Sequence, residues 1–473
     1  MRIRVIGGGL SGPEAALTAA RLGCQVDLYE MRAVVDGKPR LTPAHQTTDF
    51  GELVCSNSLK SESPYTAPWL LKQEMRRGGC ALLGIADECA VPAGHALAVD
   101  RVEFSRRISE AIAVQPLIHV IREEVTQLNP RGSELAATIV ATGPLTSDAL
   151  SREIERITGS GHLAFYDSIS PIVDAETIDM SRVYFAARWD KGTADYINCP
   201  LDRAEYDRFY DALLAAEPAE EKEWEKLDDF CPHDSGAGAQ GARYFEGCLP
   251  IEVLARRGRD TLRFGPMKPV GLRDPRTGKT PWAVVQLRKE NLRASSYNLV
   301  GFQNHLKFGE QARILRLIPG LENARFLRYG QMHRNTYICA PALLDEFLRF
   351  RHAARQPIFF AGQLCGVEGY TESIATGMLA GIYAAVLVRG QELTPVPRAT
   401  ALGSLVHYIT HADAKNFQPA NMTFDLLEPL EEDLRRKVRD KQERHCIQCE
   451  RALNAFDAWR AACGPGIPAS QRG

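Results

Sequence analysis

The sequence lacks a hydrophobic run long enough to cross a membrane. Its longest apolar stretch, residues 374–388, contains two glycines and spans only 15 positions, so it predicts a buried helix. No apolar segment with a cleavage site precedes the first predicted strand, so we expect no secretory signal and a cytoplasmic protein. Tandem repeats and low-complexity tracts are also missing. A chain of 473 residues with 45% hydrophobic content can still bury a large core, and we expect two domains.

The spacings of the twelve cysteines do not provide a complete set of metal ligands or a disulfide framework. Cys446 and Cys449 form one CxxC next to His445, but a structural zinc site needs four ligands and no second pair lies nearby. We therefore predict no structural metal and two ordinary helix-face cysteines. No CxxxxC pair follows the N-terminal glycine motif, which argues against a flavin disulfide reductase. In a cytosolic chain the cysteines are expected to be reduced.

The sequence also lacks an excess of charge of one sign, since its formal net charge is −2. A net charge this close to zero argues against a protein whose whole surface binds nucleic acid. The charges are nevertheless unevenly placed. Residues 256–293 contain eleven Lys/Arg and three acids, whereas residues 202–229 contain eleven acids and four bases. A basic block is usually a solvated face, but this one follows a candidate active-site cysteine and is a candidate for phosphate contacts.

The N-terminal 32 residues have the pattern of a dinucleotide-binding unit. Residues 2–6 predict a buried strand, residues 10–22 a helix and residues 25–29 a second strand. Between strand and helix, Gly7 permits a tight turn, Gly9 lets a pyrophosphate approach the backbone, and Gly12 permits close packing. Glu30 ends the second strand, where its carboxylate can accept the hydroxyls of an unphosphorylated ribose. The pattern favours FAD or NAD over NADP, and its N-terminal position is typical of FAD proteins.

Two later segments predict a return of the chain to this site. Residues 137–143 form a hydrophobic strand that ends in Thr142-Gly143. Residues 357–363 form another buried strand, followed by a glycine-rich loop and a helix of small residues at 371–389. Backbone at such a loop and helix N-terminus is suited to an isoalloxazine ring, although an ordinary βα unit gives the same pattern. The candidate cofactor-binding residues are Gly7, Gly8, Gly9, Leu10, Ser11, Gly12, Glu30, Arg32, Thr142, Gly143, Gly362, Gln363, Gly366 and Gly369.

The composition changes after Gly143, where aromatic, β-like segments and an acidic helical stretch begin. We predict an α/β fold in which a Rossmann-like FAD-binding domain is interrupted by an inserted α+β domain. The predicted division is residues 1–145 and 330–421 for the FAD-binding domain, 146–329 for the insertion, and 422–473 for a C-terminal helical tail.

Two cysteines are candidates for chemistry. Cys248 precedes a predicted short helix that has Pro250 at its start and Gly258 beyond its end. A helix N-terminus lowers the pKa of a thiol and favours the nucleophilic thiolate, although most cysteines are inert small hydrophobes. Cys55 lies in a polar Cys-Ser-Asn-Ser loop that is a second candidate.

Several long motifs together resemble one family, the folate- and FAD-dependent tRNA uracil-54 methyltransferases (TrmFO), small relatives of the GidA flavoproteins. The resemblance covers nearly the whole chain. The matching motifs are GGGLSGPEAA from Gly7, YEMR from Tyr29, ELVCSNSL from Glu52, ALAVDR from Ala96, FEGCLPIE from Phe245, RFGPMKPVG from Arg263, and MHRNT from Met332. The chain departs from the family at Asn304 and Phe308, where Thr and Trp are expected.

The resemblance implies a GidA-type, glutathione-reductase-like fold and a specific reaction. Cys248 matches the nucleophile that adds to C6 of uracil, and Cys55 matches a second important cysteine. Methylenetetrahydrofolate would supply the one-carbon unit by way of reduced flavin, and NAD(P)H would reduce the flavin. The tRNA uridine must be exposed or flipped into the pocket, with the basic block holding phosphates.

Other functions are compatible with the same residues. The same chemistry could act on a ribosomal RNA uridine. A plain FAD oxidoreductase could act on a small molecule, in which case both cysteines would be structural. A non-catalytic RNA-binding flavoprotein related to the longer wobble-uridine modification proteins would be expected to have a long C-terminal partner-binding domain.

Overall fold

The computed structural model describes residues 1–42, 44–128, 135–159, 163–168, 170–191, 193–219, 249–330, 332–353 and 356–463. The predicted nucleophile Cys248 lies outside these residues. Within the described part, the buried side chains form two large hydrophobic clusters, which we call the first core and the second core.

The strands in chain order are β1 (Arg2–Ile6), β2 (Gln25–Tyr29), β3 (Ala33–Val35), β4 (Lys38–Arg40), β5 (Ser58–Ser61), β6 (Ala90–Val91), β7 (Ala96–Val99), β8 (Ile118–Ile121), β9 (Ala137–Val140), β10 (Leu163–Ser168), β11 (Ile172–Asp174), β12 (Tyr184–Phe185), β13 (Ile197–Leu201), β14 (Ala283–Lys289), β15 (Ser296–Leu299), β16 (Phe326–Arg328), β17 (Met332–Tyr337) and β18 (Ile358–Phe360).

The helices are α1 (Ser11–Arg21), α2 (Ala67–Arg77), α3 (Ala81–Glu88), α4 (Arg101–Ala113), α5 (Asp148–Thr158), α6 (Arg203–Leu214), α7 (Ile251–Arg256), α8 (Thr261–Phe264), α9 (Phe308–Leu315), α10 (Ala340–Leu343), α11 (Tyr370–Val388), α12 (Ala401–His411), α13 (Glu432–Lys437) and α14 (Lys441–Ala462).

A five-stranded parallel sheet lies at the centre of the first core, with the strand order β18-β9-β1-β2-β8. β1 occupies the middle, and Ile3 and Val5 on it are fully buried. Strands buried on both faces read as short, largely apolar runs, which is the pattern in residues 137–140. Because β9 pairs with β1 and β18 pairs with the far side of β9, the chain returns twice to the sheet begun by the N-terminal unit. The parallel sheet with covering helices is the α/β Rossmann-like architecture expected from the sequence.

Helix α11 packs directly on α1 because glycines remove the side chains between them. A Cβ on Gly377 would lie 2.3 Å from the Ser11 carbonyl oxygen, and one on Gly381 would lie 2.7 Å from that of Ala15. By length and composition α11 could cross a membrane, yet 78% of its apolar window is buried inside the protein. It is therefore the core helix that the sequence predicts.

The second core surrounds a six-stranded sheet of order β12-β13-β14-β15-β11-β16, in which the described pairings are antiparallel. Helix α6 covers this sheet with Tyr206, Phe209 and Leu213, which are buried in the second core. Its N-terminus has a capping box, since Asp202 and Glu205 each accept a hydrogen bond from the other's backbone N–H. The local sequence thus starts the helix, and apolar burial fixes it to the sheet.

Buried carboxylates tie together helices that are distant in sequence. Glu74 on α2 accepts hydrogen bonds from the first backbone N–H groups of α12, at 2.7 Å from Ala401 and 2.9 Å from Leu402. Glu14 on α1 does the same for α3, at 2.8 Å from Leu82. N-terminal helix amides lack intrahelical partners, so each carboxylate satisfies donors that would otherwise be buried unpaired.

The C-terminal helix α14 packs onto the first core. Phe456 and Trp459 on α14 are buried in that core, and the Trp459 indole donates to the Thr394 carbonyl at 3.0 Å. Arg460 donates to the Arg77 carbonyl at 2.8 Å, which joins α14 to α2. The ring of His445 stacks on Phe424 with centroids 3.7 Å apart.

The predicted elements differ from the observed ones mainly at their ends. The first helix begins at Ser11 rather than Leu10, and Pro250 precedes α7 rather than occupying its first position. Residues 183–189 are one of the aromatic segments after Gly143 that are β-like in sequence. The prediction of a strand there is mostly wrong, because only Tyr184–Phe185 form one. The C-terminal helical stretch is two helices, since residues 438–440 interrupt it.

Replacing Glu74 by Ala is predicted to lower the free energy of unfolding of the first core by about 1–3 kcal/mol. The reason is that the amides of Ala401 and Leu402 would remain buried without a partner. Thermal unfolding followed by circular dichroism measures the effect. The matched control is Glu432→Ala on the exposed face of α13, where the change should stay within about 0.5 kcal/mol. Equal effects of the two variants would contradict the capping role.

Glu74 also predicts a pH dependence of stability. Burial raises the pKa of this carboxyl to about 8, against about 4.3 in an unfolded chain. The folded state then binds the proton more tightly, so the stabilisation is complete at low pH and is lost as pH rises towards 8. The Glu74→Gln variant cannot ionise. Its stability relative to the wild type should therefore rise between pH 5 and 8 and level off above, and a pH-independent difference would contradict this assignment.

Candidate functional site

A cavity lies at the carboxyl ends of the central parallel strands, where ligands bind in open α/β sheets. It collects most of the residues that the sequence predicted for a cofactor from three separate stretches of the chain. The predicted residues that line it are Gly7, Gly8, Gly9, Leu10, Ser11, Glu30, Arg32, Thr142, Gly143, Gly362 and Gln363.

The turn between β1 and α1 has the three properties expected of its glycines. Gly7 has a φ of +115°, a conformation that favours glycine. A Cβ on Gly12 would lie 1.8 Å from the Gly7 carbonyl oxygen, so only glycine permits this helix–turn contact. A Cβ on Gly9, in contrast, would meet nothing within 4 Å. Gly9 lines the cavity, so its bare backbone faces open space of the kind that a pyrophosphate needs.

Ser11 supplies a second sign that a polar group belongs in this cavity. It is the first residue of α1 and is only 4% exposed, yet its Oγ has no hydrogen-bond partner in the described structure. Buried hydroxyls are normally satisfied. An anionic ligand at the N-terminus of α1 would accept from this hydroxyl and from the unpaired amides of the first helical turn. The residues present therefore fit a dinucleotide diphosphate.

Glu30 is held in place by the backbone of the same turn. Its two oxygens accept from the amides of Gly8 at 2.7 Å and Arg32 at 2.8 Å. The Arg32 guanidinium lies 3.2 Å from the same carboxylate and 3.4 Å from that of Glu52, and it is 2% exposed. A carboxylate has about four acceptor positions, and Gly8 and Arg32 use three of those on Glu30, so it keeps one for a ribose hydroxyl. The buried ion pair fixes its orientation.

The opposite wall of the cavity comes from the turns that follow β9 and β18. The Thr142 hydroxyl lies 2.6 Å from that of Thr146, and Gly143 has a φ of +64°. Gly362, with a φ of +73°, donates its amide to the Thr376 hydroxyl at 2.9 Å. The side-chain amide of Gln363 donates to the Glu368 carboxylate at 2.5 Å. These bonds place bare backbone opposite α1, as the sequence predicted.

Three predicted cofactor residues, Gly12, Gly366 and Gly369, are not among the described residues that line the cavity. A Cβ on Gly366 would lie 2.3 Å from the Phe417 ring. A Cβ on Gly369 would lie 2.4 Å from Glu372 and 2.6 Å from the Lys60 ammonium nitrogen. Both have positive φ angles. Tight packing and backbone conformation explain these glycines in the structure, and their contact with a cofactor stays a prediction.

Cys55 lies beside the cavity. Its neighbour Val54 lines the wall, and so does Tyr370, whose hydroxyl accepts from the amides of Cys55 at 2.8 Å and Ser56 at 3.1 Å. The pKa of Tyr370 is raised well above its usual range, because burial disfavours the phenolate and the Cys55 sulfur adds negative charge nearby. The neutral phenol therefore holds the cysteine loop against the first turn of α11.

The same loop is also fixed from the second core. Arg101 donates to the Leu53 carbonyl at 2.5 Å and to Glu290 at 3.0 Å. Asn57 is fully buried and donates to the carbonyls of Val99 at 3.0 Å and Lys289 at 2.8 Å. Lys289 belongs to β14, so Asn57 hydrogen-bonds the cysteine loop to the second sheet.

The residues that follow Cys248 are described, although Cys248 is not. Glu252 on α7 is 6% exposed and accepts from the His305 amide at 2.7 Å, while its other oxygen has no partner among the described residues. Burial raises the pKa of Glu252 to about 7. Asn304, one of the departures from the family pattern, is buried and donates to the Phe302 carbonyl at 3.1 Å.

The structure divides the predicted basic block into two kinds of residue. Several of its arginines are neutralised, as when Arg259 pairs with Asp207 at 2.6 Å and Asp211 at 2.5 Å on α6. The acidic stretch thus offsets part of the block. Other cations are exposed and have no ion pair with a described residue, namely Lys268, Arg273, Lys279 and Arg293. These four are the better candidates for phosphate contacts.

Sequence reasoning missed the residues that support the site from a distance. Tyr370, Arg101 and Asn57 all hold the cysteine loop, and His45 and Ser373 line the cavity. Arg101 and Asn57 stand inside motifs that match the family, but no local spacing shows what they contact. Their partners are 42 to 315 positions away in the chain.

Comparison with known proteins gives the same family as the motifs. Residues 2–392 match the family model described as glucose inhibited division protein A, GIDA. A Koribacter versatilis protein named methylenetetrahydrofolate--tRNA-(uracil-5-)-methyltransferase TrmFO is 63% identical over 98% of both chains. Relatives of the same name from Solibacter usitatus and Bacillus cytotoxicus are 59% and 51% identical over 97% and 96% of this chain.

The fold is shared with a solved structure. Aquifex aeolicus GidA superposes with a TM-score of 0.61 and 17% sequence identity over 98% of this chain and 77% of that one. At this identity the similarity concerns the fold alone, which agrees with the predicted GidA-type architecture. With a family model matching most of its length and relatives above 50% identity across nearly all of it, the chain belongs to the GidA family and, within that family, to the TrmFO proteins.

Proposed function

We propose that this protein is a methylenetetrahydrofolate- and FAD-dependent methyltransferase that forms 5-methyluridine at position 54 of tRNA. The observation that carries the proposal is the dinucleotide cavity bordered by the Cys55 loop, in a chain 63% identical to a relative named methylenetetrahydrofolate--tRNA-(uracil-5-)-methyltransferase. An oxidoreductase acting on a small molecule would not require the cysteine loop to be fixed from both cores.

FAD is the cofactor that the cavity fits. Gly9 backbone, the Ser11 hydroxyl and the α1 N-terminus would bind its pyrophosphate, and Glu30 would accept from an adenosine ribose hydroxyl. The turns at Thr142–Gly143 and Gly362–Gln363 would approach the flavin half. When bound, FAD supplies reducing equivalents, drawn from NAD(P)H, and relays the one-carbon unit of methylenetetrahydrofolate.

The nucleophile in this proposal is Cys248. Its thiolate would add to C6 of the target uracil, which turns C5 into an enolate carbon able to bond to the one-carbon unit. After C5 loses its proton, the methylene carbon must separate from its carrier and gain a hydride, which reduced FAD would supply, and expulsion of the thiolate from C6 restores the pyrimidine. Glu252, buried four positions later with a pKa of about 7, can hold a proton in this part of the chain at neutral pH. Cys55 would act beside the cavity, at the loop that Tyr370 holds.

The remaining features agree with an RNA substrate in the cytoplasm. The ten described cysteines are reduced thiols, and no group of metal-binding side chains occurs among the described residues. We also propose the division of the chain into an FAD-binding domain at 1–145 and 330–421, an inserted domain at 146–329 and a helical tail at 422–473. The second core lies within the proposed insertion.

Gly9→Ala tests the cofactor site without changing the fold. The added methyl group meets no protein atom within 4 Å but occupies the space assigned to the pyrophosphate. We expect affinity for FAD to fall at least roughly tenfold while the melting temperature of the apoprotein stays unchanged. Flavin fluorescence titration measures binding. The matched control is Gly84→Ala on α3, which also meets nothing within 4 Å. Wild-type FAD affinity in Gly9→Ala would contradict the assignment.

Cys248→Ala tests the nucleophile. Formation of 5-methyluridine in unmodified tRNA should fall by about 10³-fold or more, since removal of a covalent catalyst leaves only binding and orientation. FAD content should remain that of the wild type. Cys446→Ala on α14 is the matched control and should retain full activity. Nucleoside analysis of the tRNA gives the product. Wild-type rates in Cys248→Ala would show that another group activates the uracil.

A further inference from the structure

Trp189 presents a large exposed aromatic ring from an unusual backbone conformation. Its side chain is 64% exposed, whereas the described Trp459 is 4% exposed. Its φ and ψ of 60° and 22° lie in the left-handed region, and the next residue, Asp190, has a φ of 52°. Non-glycine residues seldom adopt this conformation, and those that do cluster at functional sites.

The loop that presents Trp189 is fixed to a second loop of the basic block. The Trp189 amide donates to the Gly271 carbonyl at 2.7 Å. A Cβ on Gly271 would lie 2.8 Å from the indole, so the ring packs against this glycine. The neighbouring Arg188 donates to the carbonyls of Val270 at 2.6 Å and Lys268 at 2.8 Å. The exposed ring is therefore rigidly mounted.

Cations without a described acidic partner lie near Trp189 in the sequence and near Gly271, the glycine against which its ring packs. Lys191 follows it by two positions, and Lys268 and Arg273 flank the glycine on which it packs. All three side chains are exposed and form no ion pair with a described residue. Arg276, by comparison, is paired with Asp274 at 2.7 Å. An exposed aromatic ring among unpaired cations is complementary to a nucleobase between phosphates.

We propose that Trp189 is a stacking platform for an unpaired base of the RNA substrate, with Lys268 and Arg273 contacting the flanking phosphates. This inference rests on the proposed function in so far as tRNA is the substrate. Stacking on an indole is available to every base, so the platform would contribute affinity and orientation rather than sequence selection. A protein partner would expose acidic groups to the same cations, and the experiment separates that case.

The test is binding of an unmodified tRNA transcript to the FAD-loaded full chain at several salt concentrations. Trp189→Ala should weaken binding roughly tenfold and leave the salt dependence unchanged, because a stacked base releases no counterions. Trp189→Phe should stay close to the wild type. The Lys268→Ala/Arg273→Ala double variant should reduce the slope of log K against log salt by about 1.5.

Val114→Ala is the control, because it truncates another exposed side chain, at the C-terminal end of α4. This variant should bind tRNA as the wild type does. Unchanged affinity in Trp189→Ala would overturn the inference, as would a change in oligomeric state without a change in RNA affinity. A wild-type protein that binds tRNA through Trp189 but forms no 5-methyluridine would contradict the proposed function alone.

Discussion

The close approach of α1 to the turn after β1 and to α11, which glycines on both helices permit, is the constraint on which the rest of the site depends. Gly12 lets the helix approach the turn after β1, and Gly377 and Gly381 let α11 approach it from the other side. A methyl group at any of these positions would overlap backbone atoms. The contact fixes the N-terminus of α1 at the edge of the sheet, so its amides, the Ser11 hydroxyl and the Gly9 backbone face one cavity.

Buried carboxyl groups support this arrangement. Glu14 and Glu74 satisfy the first amides of α3 and α12, while Glu30 binds the amide of Gly8 within the cofactor turn. Each carboxylate joins segments that are distant in sequence, and apolar side chains in the same places could not fix their orientation. Glycine and alanine thus give the α1–α11 contact its close packing, and a few carboxyl groups align the surrounding helices.

Much of the first domain's nucleotide site could be predicted from the sequence because its determinants are local. A strand, three spaced glycines, a helix and Glu30 lie within 30 residues, and each has a conformational reason to be there. The cysteine-loop contacts could not be predicted, because Tyr370 and Lys289 reach that loop from more than 200 positions away. Likewise, the basic block appeared uniform in sequence, but pairing of Arg259 with α6 depends on tertiary structure. At Gly366 and Gly369 the sequence does not distinguish two roles, because tight packing and cofactor contact select the same residue.

The cysteine loop borders the cavity and is hydrogen-bonded to the second sheet through Asn57, a position suited to chemistry that combines a redox cofactor with a nucleic acid substrate. Asn57 and Arg101 hold that loop in place. The most direct test of the account is nucleoside mass spectrometry of tRNA incubated with the protein, NAD(P)H and methylenetetrahydrofolate labelled at its methylene carbon. The proposed function predicts that the label appears in 5-methyluridine at position 54. Label absent from 5-methyluridine, with FAD bound and NAD(P)H consumed, would contradict it.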